Sequence, residues 1–523
     1  RVDEAGVPIW HLADPAHPQH PPTAVRYPAA GRTNADVRLA VLPAAPRSVP
    51  PGDPGAPAVP PAPPDAPAGA VEVVWDRQAY PYLAVARWDP AGPPLLAVQS
   101  RDQRELAVLA VDPGSGDTRV LATEHDPAWV DLVPGVPAWA PDGRLVRVRL
   151  DQQSDTHRLY AAEAPLTPPG LQVLAVTDVD DDGVTVLATD EPTEDHLWHV
   201  GWDGDARRLS PPGGAHGGRR VGGVTLLVSA GLDRPGTQAR LLHGTPGALR
   251  ETATVSSYAE LPRIVPRVRL LRLGRLGLRA AVLLPSWHTP GTRLPVLCDP
   301  YGGPHARRVV ARAGAFTDSQ WFAEQGFAVL VADGRGTPAR GPAWERVLAG
   351  DLATAPLDDQ VTALHEAAAV VDALDLDRVA IRGWSFGGYL AALAVLRRPD
   401  VFHAAVAGAP VTDWRLYDTH YTERYLGVDP DGAHAAAYRA SSLIDDAPGL
   451  RRPLMLIHGL ADDNVVVAHT LRLSSSLLAA GRPHTVLPLS GVTHMTPQEV
   501  VAENLLLLQV RFLQEALGMH DGG

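Results

Sequence analysis

Gly383-Trp384-Ser385-Phe386-Gly387 places a serine between two glycines, where an apolar run, Val379-Ala380-Ile381, meets a helix-forming stretch at 389–396. A strand, sharp turn and helix in this order hold the serine in a strained conformation with its hydroxyl exposed, and the glycines provide clearance. Alone, G-x-S-x-G is a weak pattern in a chain with 48 glycines among 523 residues. A serine becomes a nucleophile only with a base to take its proton and an acid to orient that base. The chain order Ser, acid, His puts both partners downstream. Asp462, in His458-Gly459-Leu460-Ala461-Asp462-Asp463-Asn464, leaves the carboxyl end of a strand at 454–457, where catalytic groups of open α/β sheets collect. His494 closes Ser490-Gly491-Val492-Thr493-His494, after a further strand at 485–489. Asp463 is the alternative acid, and His458 and His484 are alternative bases. An oxyanion needs preorganised donors: the Phe386 backbone N–H is one, and the loop Asp299-Pro300-Tyr301-Gly302-Gly303-Pro304 offers a phenol as the other.

The elements around the serine fit this chemistry. Residues 358–374 read as an amphipathic helix, 377–381 as a buried strand, and 402–409 as the next strand, the βαβ alternation of a parallel sheet. Before about residue 260 the texture is short strands and turns. Segments 106–121, 157–166, 197–209 and 240–252 share a strand–turn–strand shape and start 51, 40 and 43 residues apart. Trp88-Asp89-Pro90 and Trp139-Ala140-Pro141-Asp142-Gly143 resemble one another as turns between them. This spacing suits four-stranded propeller blades, with a β-sandwich as the alternative. The expected organisation is a β-propeller, incomplete at its N-terminus, over 1–260, followed by an α/β-hydrolase domain over 261–523. A Pro/Ala/Gly-rich insertion at 44–70 cannot build a core. Asp178-Val179-Asp180-Asp181-Asp182-Gly183 opens like a calcium loop, but Thr189 stands where the closing glutamate belongs, so a solvated turn between strands is expected. A last helix over 497–517 carries Val500, Leu505, Leu508, Phe512 and Leu513 on one apolar face, for packing on the sheet or contact with a second copy.

Composition narrows the classes further. A net charge of −13 and a pI near 5.8 argue against nucleic acid or an anionic membrane surface as partner. One cysteine, Cys298, excludes an internal disulfide framework and a multi-cysteine metal site. All 46 basic residues are arginine, which removes Ser-Lys dyads, Schiff bases and P-loops. Neither a cofactor nor a metal is expected. No run of about 18 apolar residues and no signal-peptide pattern is found, so the expected location is cytoplasmic.

Gly383-Trp384-Ser385-Phe386-Gly387-Gly388-Tyr389, Tyr301-Gly302-Gly303-Pro304, Asp333-Gly334-Arg335-Gly336, Tyr421-Thr422-Glu423-Arg424-Tyr425 and the 458–464 motif together resemble the dipeptidyl peptidase IV branch of the prolyl oligopeptidase family. The resemblance is close over 262–517 and weaker over the β half. It implies Ser385 as nucleophile, Asp462 and His494 as its partners, and Tyr301 with the Phe386 amide as oxyanion hole. It further implies a proline-sized pocket from Phe386, Val411, Trp414, Tyr417, Tyr421 and Val465, with Asn464 and Arg424 near the substrate's main-chain carbonyl or amino end. Aromatic walls suit a flat pyrrolidine ring, although Tyr425 and Trp414 fit core packing equally well. The implied activity is that of a serine-type peptidase releasing N-terminal dipeptides after proline or alanine. The alternatives are an acylaminoacyl- or oligopeptidase-type member and a non-catalytic binding protein on the same fold. The family's substrate-amine anchor is a Glu-Glu pair, which this sequence lacks. Residues 1–8 resemble the strand shortly after that pair, and about 258 residues allow five or six blades, so the chain reads as N-terminally truncated.

Overall fold

The computed structural model describes residues 1–43, 69–496 and 498–519; most of the proline-rich stretch at 44–70 lies outside the described residues. The β half contains four four-stranded antiparallel sheets, spanning Tyr82–His125, Ala138–Pro165, Gln172–Arg208 and Ala215–Val255. Each is a meander of consecutive strands, the repeating unit of a propeller. The four strand–turn–strand repeats coincide with the third and fourth strands of the four sheets. The two Trp-Asp-type turns both enter a second strand, at Leu95–Gln99 and Leu145–Asp151. Residues 178–183 form the hairpin turn between Gln172–Val179 and Gly183–Thr189, where Asp180 Oδ1 accepts from the backbone N–H groups of Asp182 and Gly183. Fewer full blades are described than the five or six expected. Ahead of Tyr82 the described strands pair only two by two: Val2–Asp3 with Asp36–Val37, Ile9–Leu12 with Thr23–Arg26, and Leu39–Val41 with Val71–Val73.

From Val268 the texture changes to an eight-stranded sheet whose strands are labelled β1 (Val268–Leu273), β2 (Leu278–Leu283), β3 (Leu294–Cys298), β4 (Ala328–Asp333), β5 (Leu374–Trp384), β6 (Ala404–Gly408), β7 (Leu454–Gly459) and β8 (Thr485–Leu489). The order is β1-β2-β4-β3-β5-β6-β7-β8, with β1, β2 and β4 joined antiparallel and the other pairs parallel. This is the expected propeller followed by an α/β-hydrolase fold. The central strands are fully buried because helices cover both faces, which is why they read as continuous apolar runs. One face is covered by α1 (Thr354–Ala368) and α2 (Phe386–Arg397), the latter buried along nearly its whole length. The 358–374 expectation overran: α1 stops at Ala368, and Leu374 already belongs to β5, where it pairs with Leu294. A short turn through Asp372, too brief for periodicity to register, separates the two. The last helix, α3 (Glu499–Ala516), is split across the expected apolar face. Leu505 and Leu513 are buried against the sheet, whereas Val500 and Leu508 are exposed.

Candidate active site

Ser385 sits at the junction of β5 and α2 with φ 58° and ψ −119°, a conformation that costs a non-glycine residue of order 1–3 kcal/mol. The surroundings enforce it. The Ser385 N–H donates to the Gly408 carbonyl at 2.9 Å, and the Ser385 carbonyl accepts from the Tyr389 N–H at 2.9 Å, opening the helix. A Cβ on Gly383 would overlap the Gly387 carbonyl, so the turn closes this tightly only with glycine. Phe386 is the first residue of α2, and its backbone N–H is among the four at a helix N-terminus that lack intrahelical partners. The helix dipole adds partial positive charge there, which suits a developing oxyanion.

Tyr301 leaves β3 beside this helix end. Its ring centroid is 5.9 Å from that of Phe386, and a Cβ on Gly303 would overlap the Phe386 ring, so the Tyr-Gly-Gly loop lies directly on the elbow. Burial raises the Tyr301 phenol above its usual pKa, which keeps it a protonated donor at neutral pH. Beneath the loop, buried Asp299 accepts from Arg382 Nη1 on β5 at 3.1 Å, from Arg308 Nη2 at 2.8 Å and from Ser319 Oγ at 2.8 Å. This ion cluster ties the strand bearing the phenol to the strand bearing the serine.

Asp462 is fully buried, and its Oδ2 lies 2.8 Å from His494 Nδ1. Its Oδ1 accepts from the backbone N–H groups of Asn464 (3.0 Å) and Val465 (2.9 Å), which fixes the carboxylate plane. Burial alone would raise this carboxyl, but the hydrogen bond from His494 and the nearby His458 ring, 3.6 Å away, outweigh it and hold the pKa down to about 2. The His494 carbonyl accepts from Trp384 Nε1 at 2.8 Å, so the histidine loop is pinned to the residue before the serine. Among the described residues Ser385 Oγ and His494 share no hydrogen bond; in resting enzymes such contacts are often long and tighten only with substrate. The alternatives are placed elsewhere. Asp463 is exposed. His458 is occupied on both ring nitrogens, by Thr470 Oγ1 and the Val465 carbonyl, and His484 by Ser474 Oγ and the Arg482 carbonyl.

The aromatic residues converge next to the serine. Trp414 and Tyr421 stack with centroids 5.8 Å apart, Trp414 lies 6.0 Å from Phe386, and Tyr417 meets Tyr421 edge-on at 5.2 Å. Phe386, Val411, Trp414 and Val465 are closed off from solvent, while Tyr301, Tyr417 and Tyr421 are half-buried. Tyr425 is core, its hydroxyl bonded to His305 Nε2 at 3.0 Å. Asn464 and Arg424 are held apart by different partners. Asn464 Oδ1 accepts from the Tyr417 hydroxyl at 3.1 Å. Arg424 Nε donates to Gln103 Oε1 at 2.7 Å and borders a cavity of about 780 Å³ between the two halves, shared with His305, Asp131 and Glu345.

The reading from sequence missed the supports that come from the β half. Tyr27 donates to the Asn464 carbonyl at 2.7 Å, and Gln103 donates to the His420 carbonyl while it holds Arg424. Arg101 makes a two-pronged ion pair with the fully buried Glu423 carboxylate, at 2.8 and 2.7 Å, and the Gly31 N–H donates to the same group. The pocket helix, Thr419–Leu426, is thus clamped by loops roughly 320 to 390 positions earlier in the chain. No periodicity or local motif marks such partners. The one available signal was the buried acid itself, Glu423, which required a cation from outside its own helix.

Two family models match the chain. The prolyl oligopeptidase family matches residues 314–520, and the dipeptidyl peptidase IV (DPP IV) N-terminal region matches residues 1–229. The chain belongs to the prolyl oligopeptidase family. Among relatives of this family, dipeptidyl peptidase 8 of Mus musculus is 39% identical over 236 residues, covering 44% of this chain and 26% of the relative. A probable dipeptidyl peptidase 4 of Emericella nidulans is 27% identical over 527 residues, covering 92% of this chain and 64% of the relative. The chain therefore spans less than two thirds of the length of these relatives. In fold it is similar to the crystal structure of Porphyromonas gingivalis dipeptidyl peptidase 4, with a TM-score of 0.83 at 23% identity, over 98% of this chain and 72% of that one.

Proposed function

We propose that the chain is a serine peptidase that cleaves peptide bonds after proline or alanine and releases N-terminal dipeptides. Ser385 attacks the scissile carbonyl, His494 takes its proton and passes it to the leaving amine, and Asp462 orients the imidazole and stabilises its charged form. The Tyr301 hydroxyl and the Phe386 N–H receive the oxyanion. The slot of Phe386, Val411, Trp414, Tyr417, Tyr421 and Val465 receives the pyrrolidine ring, and Asn464 and Arg424 face the substrate's main chain. The observation that carries this reading is the 2.8 Å Asp462–His494 bond, pinned through Trp384 to a serine in an elbow conformation. The relatives named as dipeptidyl peptidases support the exopeptidase over the endopeptidase reading. Hydrolysis of Gly-Pro and of N-acetylated Gly-Pro chromogenic substrates tests it: faster turnover of the free dipeptide supports release of dipeptides, and preference for the blocked one favours an acylaminoacyl-type activity. A homodimer and a cytoplasmic location belong to the same proposal. Exposed Val500, Leu507 and Leu508 on α3 offer an apolar surface to a second copy, which light scattering would detect. No helix among the described residues is long and apolar enough to cross a membrane.

A further inference from the structure

The strands Ile9–Leu12 and Thr23–Arg26 are joined by a ten-residue connection, 13–22, that contains Pro15, Pro18, Pro21 and Pro22. Its backbone makes two successive turns: the His17 N–H donates to the Asp14 carbonyl at 3.0 Å, and the His20 N–H to the His17 carbonyl at 2.9 Å. A turn that repeats every three residues eclipses the side chains at i and i+3. Asp14, His17 and His20 therefore fall on one edge, and one ligand atom from each lies within 4.8 Å of the others. The His17 and His20 rings stack at 5.4 Å, and Asp14 Oδ2 already meets His17 Nδ1 at 2.7 Å. The four prolines restrict the backbone, so little conformational entropy remains to be lost when the three groups are drawn together.

We propose that Asp14, His17 and His20 form a binding site for a divalent transition metal of the zinc class, with two imidazole nitrogens, one carboxylate oxygen and water completing the shell. Two imidazoles and a carboxylate are a recurrent donor set for Zn²⁺. Tetrahedral ligands about 2.0–2.1 Å from the ion stand roughly 3.4 Å from one another. The histidines are exposed and can rotate to close the remaining gap. The metal takes the place of the proton that now bridges Asp14 and His17. Among the described residues the Asp14 carboxylate hydrogen-bonds to His17 Nδ1 and the Ala16 N–H. The site is carried by the hairpin that leads to Tyr27, whose ring stacks on Trp10 at 4.4 Å and whose hydroxyl holds the Asn464 carbonyl.

The test is titration of the intact, chelator-treated chain with zinc chloride against a competing fluorescent chelator, beside the His17→Ala/His20→Ala double variant and Asp14→Asn. The parent should take up one equivalent with a Kd on the order of 10 μM or tighter. The double variant should bind at least about a hundredfold more weakly, and Asp14→Asn should fall between, because it keeps both imidazoles and loses the charge. Equal melting temperatures in the absence of metal would show that the variants fold. Zinc binding by the double variant with the parent's stoichiometry and affinity, or a parent Kd weaker than about 1 mM, would overturn the assignment.

Discussion

Among the described residues, a serine, a histidine and an acid stand near one another in each half of the molecule, and the set in the hydrolase half is the one we propose to be catalytic. In the β half, His196 Nδ1 lies 2.8 Å from Ser210 Oγ and its Nε2 lies 2.9 Å from Glu194 Oε2. His196 is fully buried, Ser210 nearly so, and the His196 ring stacks on His216 of the next sheet at 5.3 Å. Glu194 also accepts from the Gly213 N–H, and His216 is satisfied by Ser229 Oγ and the Gly213 carbonyl. Both ring nitrogens of each histidine are occupied, which binds the third sheet to the fourth. In the hydrolase half, Asp462 and His494 bond just as closely, but the serine stands in a strained turn at a helix N-terminus, with a phenol and an aromatic slot beside it. Residue types do not separate the two sets. What separates them is a strained, partly exposed serine at a helix N-terminus, where donors for a developing charge would be at hand.

The largest expected effect breaks the comparison on turnover. Ser385→Ala and His494→Ala should each lower kcat/KM by roughly 10⁴-fold or more with little change in melting temperature, since triad members act as one unit. Ser210→Ala should leave kcat/KM within about twofold, yet cost about 1–3 kcal/mol of stability by leaving His196 short of a buried partner. Steady-state kinetics and denaturant unfolding on the three variants read both outcomes. A large loss of turnover in Ser210→Ala at unchanged stability would mean that the wrong triad has been chosen.

Tyr301→Phe should reduce kcat by about 10²-fold at nearly constant KM, the scale for losing one oxyanion donor. A rise in KM alone would move the phenol into the substrate pocket. Arg101→Ala should destabilise the chain by about 3–5 kcal/mol, because it strands the buried Glu423 carboxylate, and should raise KM more than it lowers kcat. The paired change Arg101→Ala/Glu423→Gln should recover most of that stability. A single variant as stable as the parent would show that the β half does not brace the pocket helix.

The smallest effect is one of pH. The pKa of Asp462 is held below the usual aspartate value of 3.8, at about 2. Its stabilisation, on the order of 2 kcal/mol, is therefore fully present above about pH 4 and is lost as pH falls through about 2. The stability gap between the parent and Asp462→Asn, measured by denaturant unfolding, should be near constant from pH 7 to 5 and should narrow toward pH 2. A gap that stayed constant down to pH 2 would contradict a carboxyl held below the usual aspartate value.

The strained turn at Ser385 and the two loops that bring Asp462 to His494 were legible in the sequence because each stands at a strand end whose apolar run is unmistakable. The four propeller hairpins were legible through their spacing. Where α1 ends was not, since Val371 and Leu374 keep helical spacing while Leu374 pairs in β5. The braces from Tyr27, Arg101 and Gln103 were illegible for a different reason. A hydrogen bond across more than 300 residues leaves no pattern in either partner's neighbourhood, and only the folded chain shows which buried acid meets which cation. The polar network of His196 would have been misread by composition alone, since its residue types are those of a catalytic set.

The most direct test of the central claim is fluorophosphonate labelling of the intact chain followed by tryptic mass spectrometry. The account expects a single adduct on Ser385, in the peptide 383–397, abolished in His494→Ala and undiminished in Ser210→Ala. An adduct on the 209–219 peptide that carries Ser210, or no adduct on a folded parent chain, would contradict it.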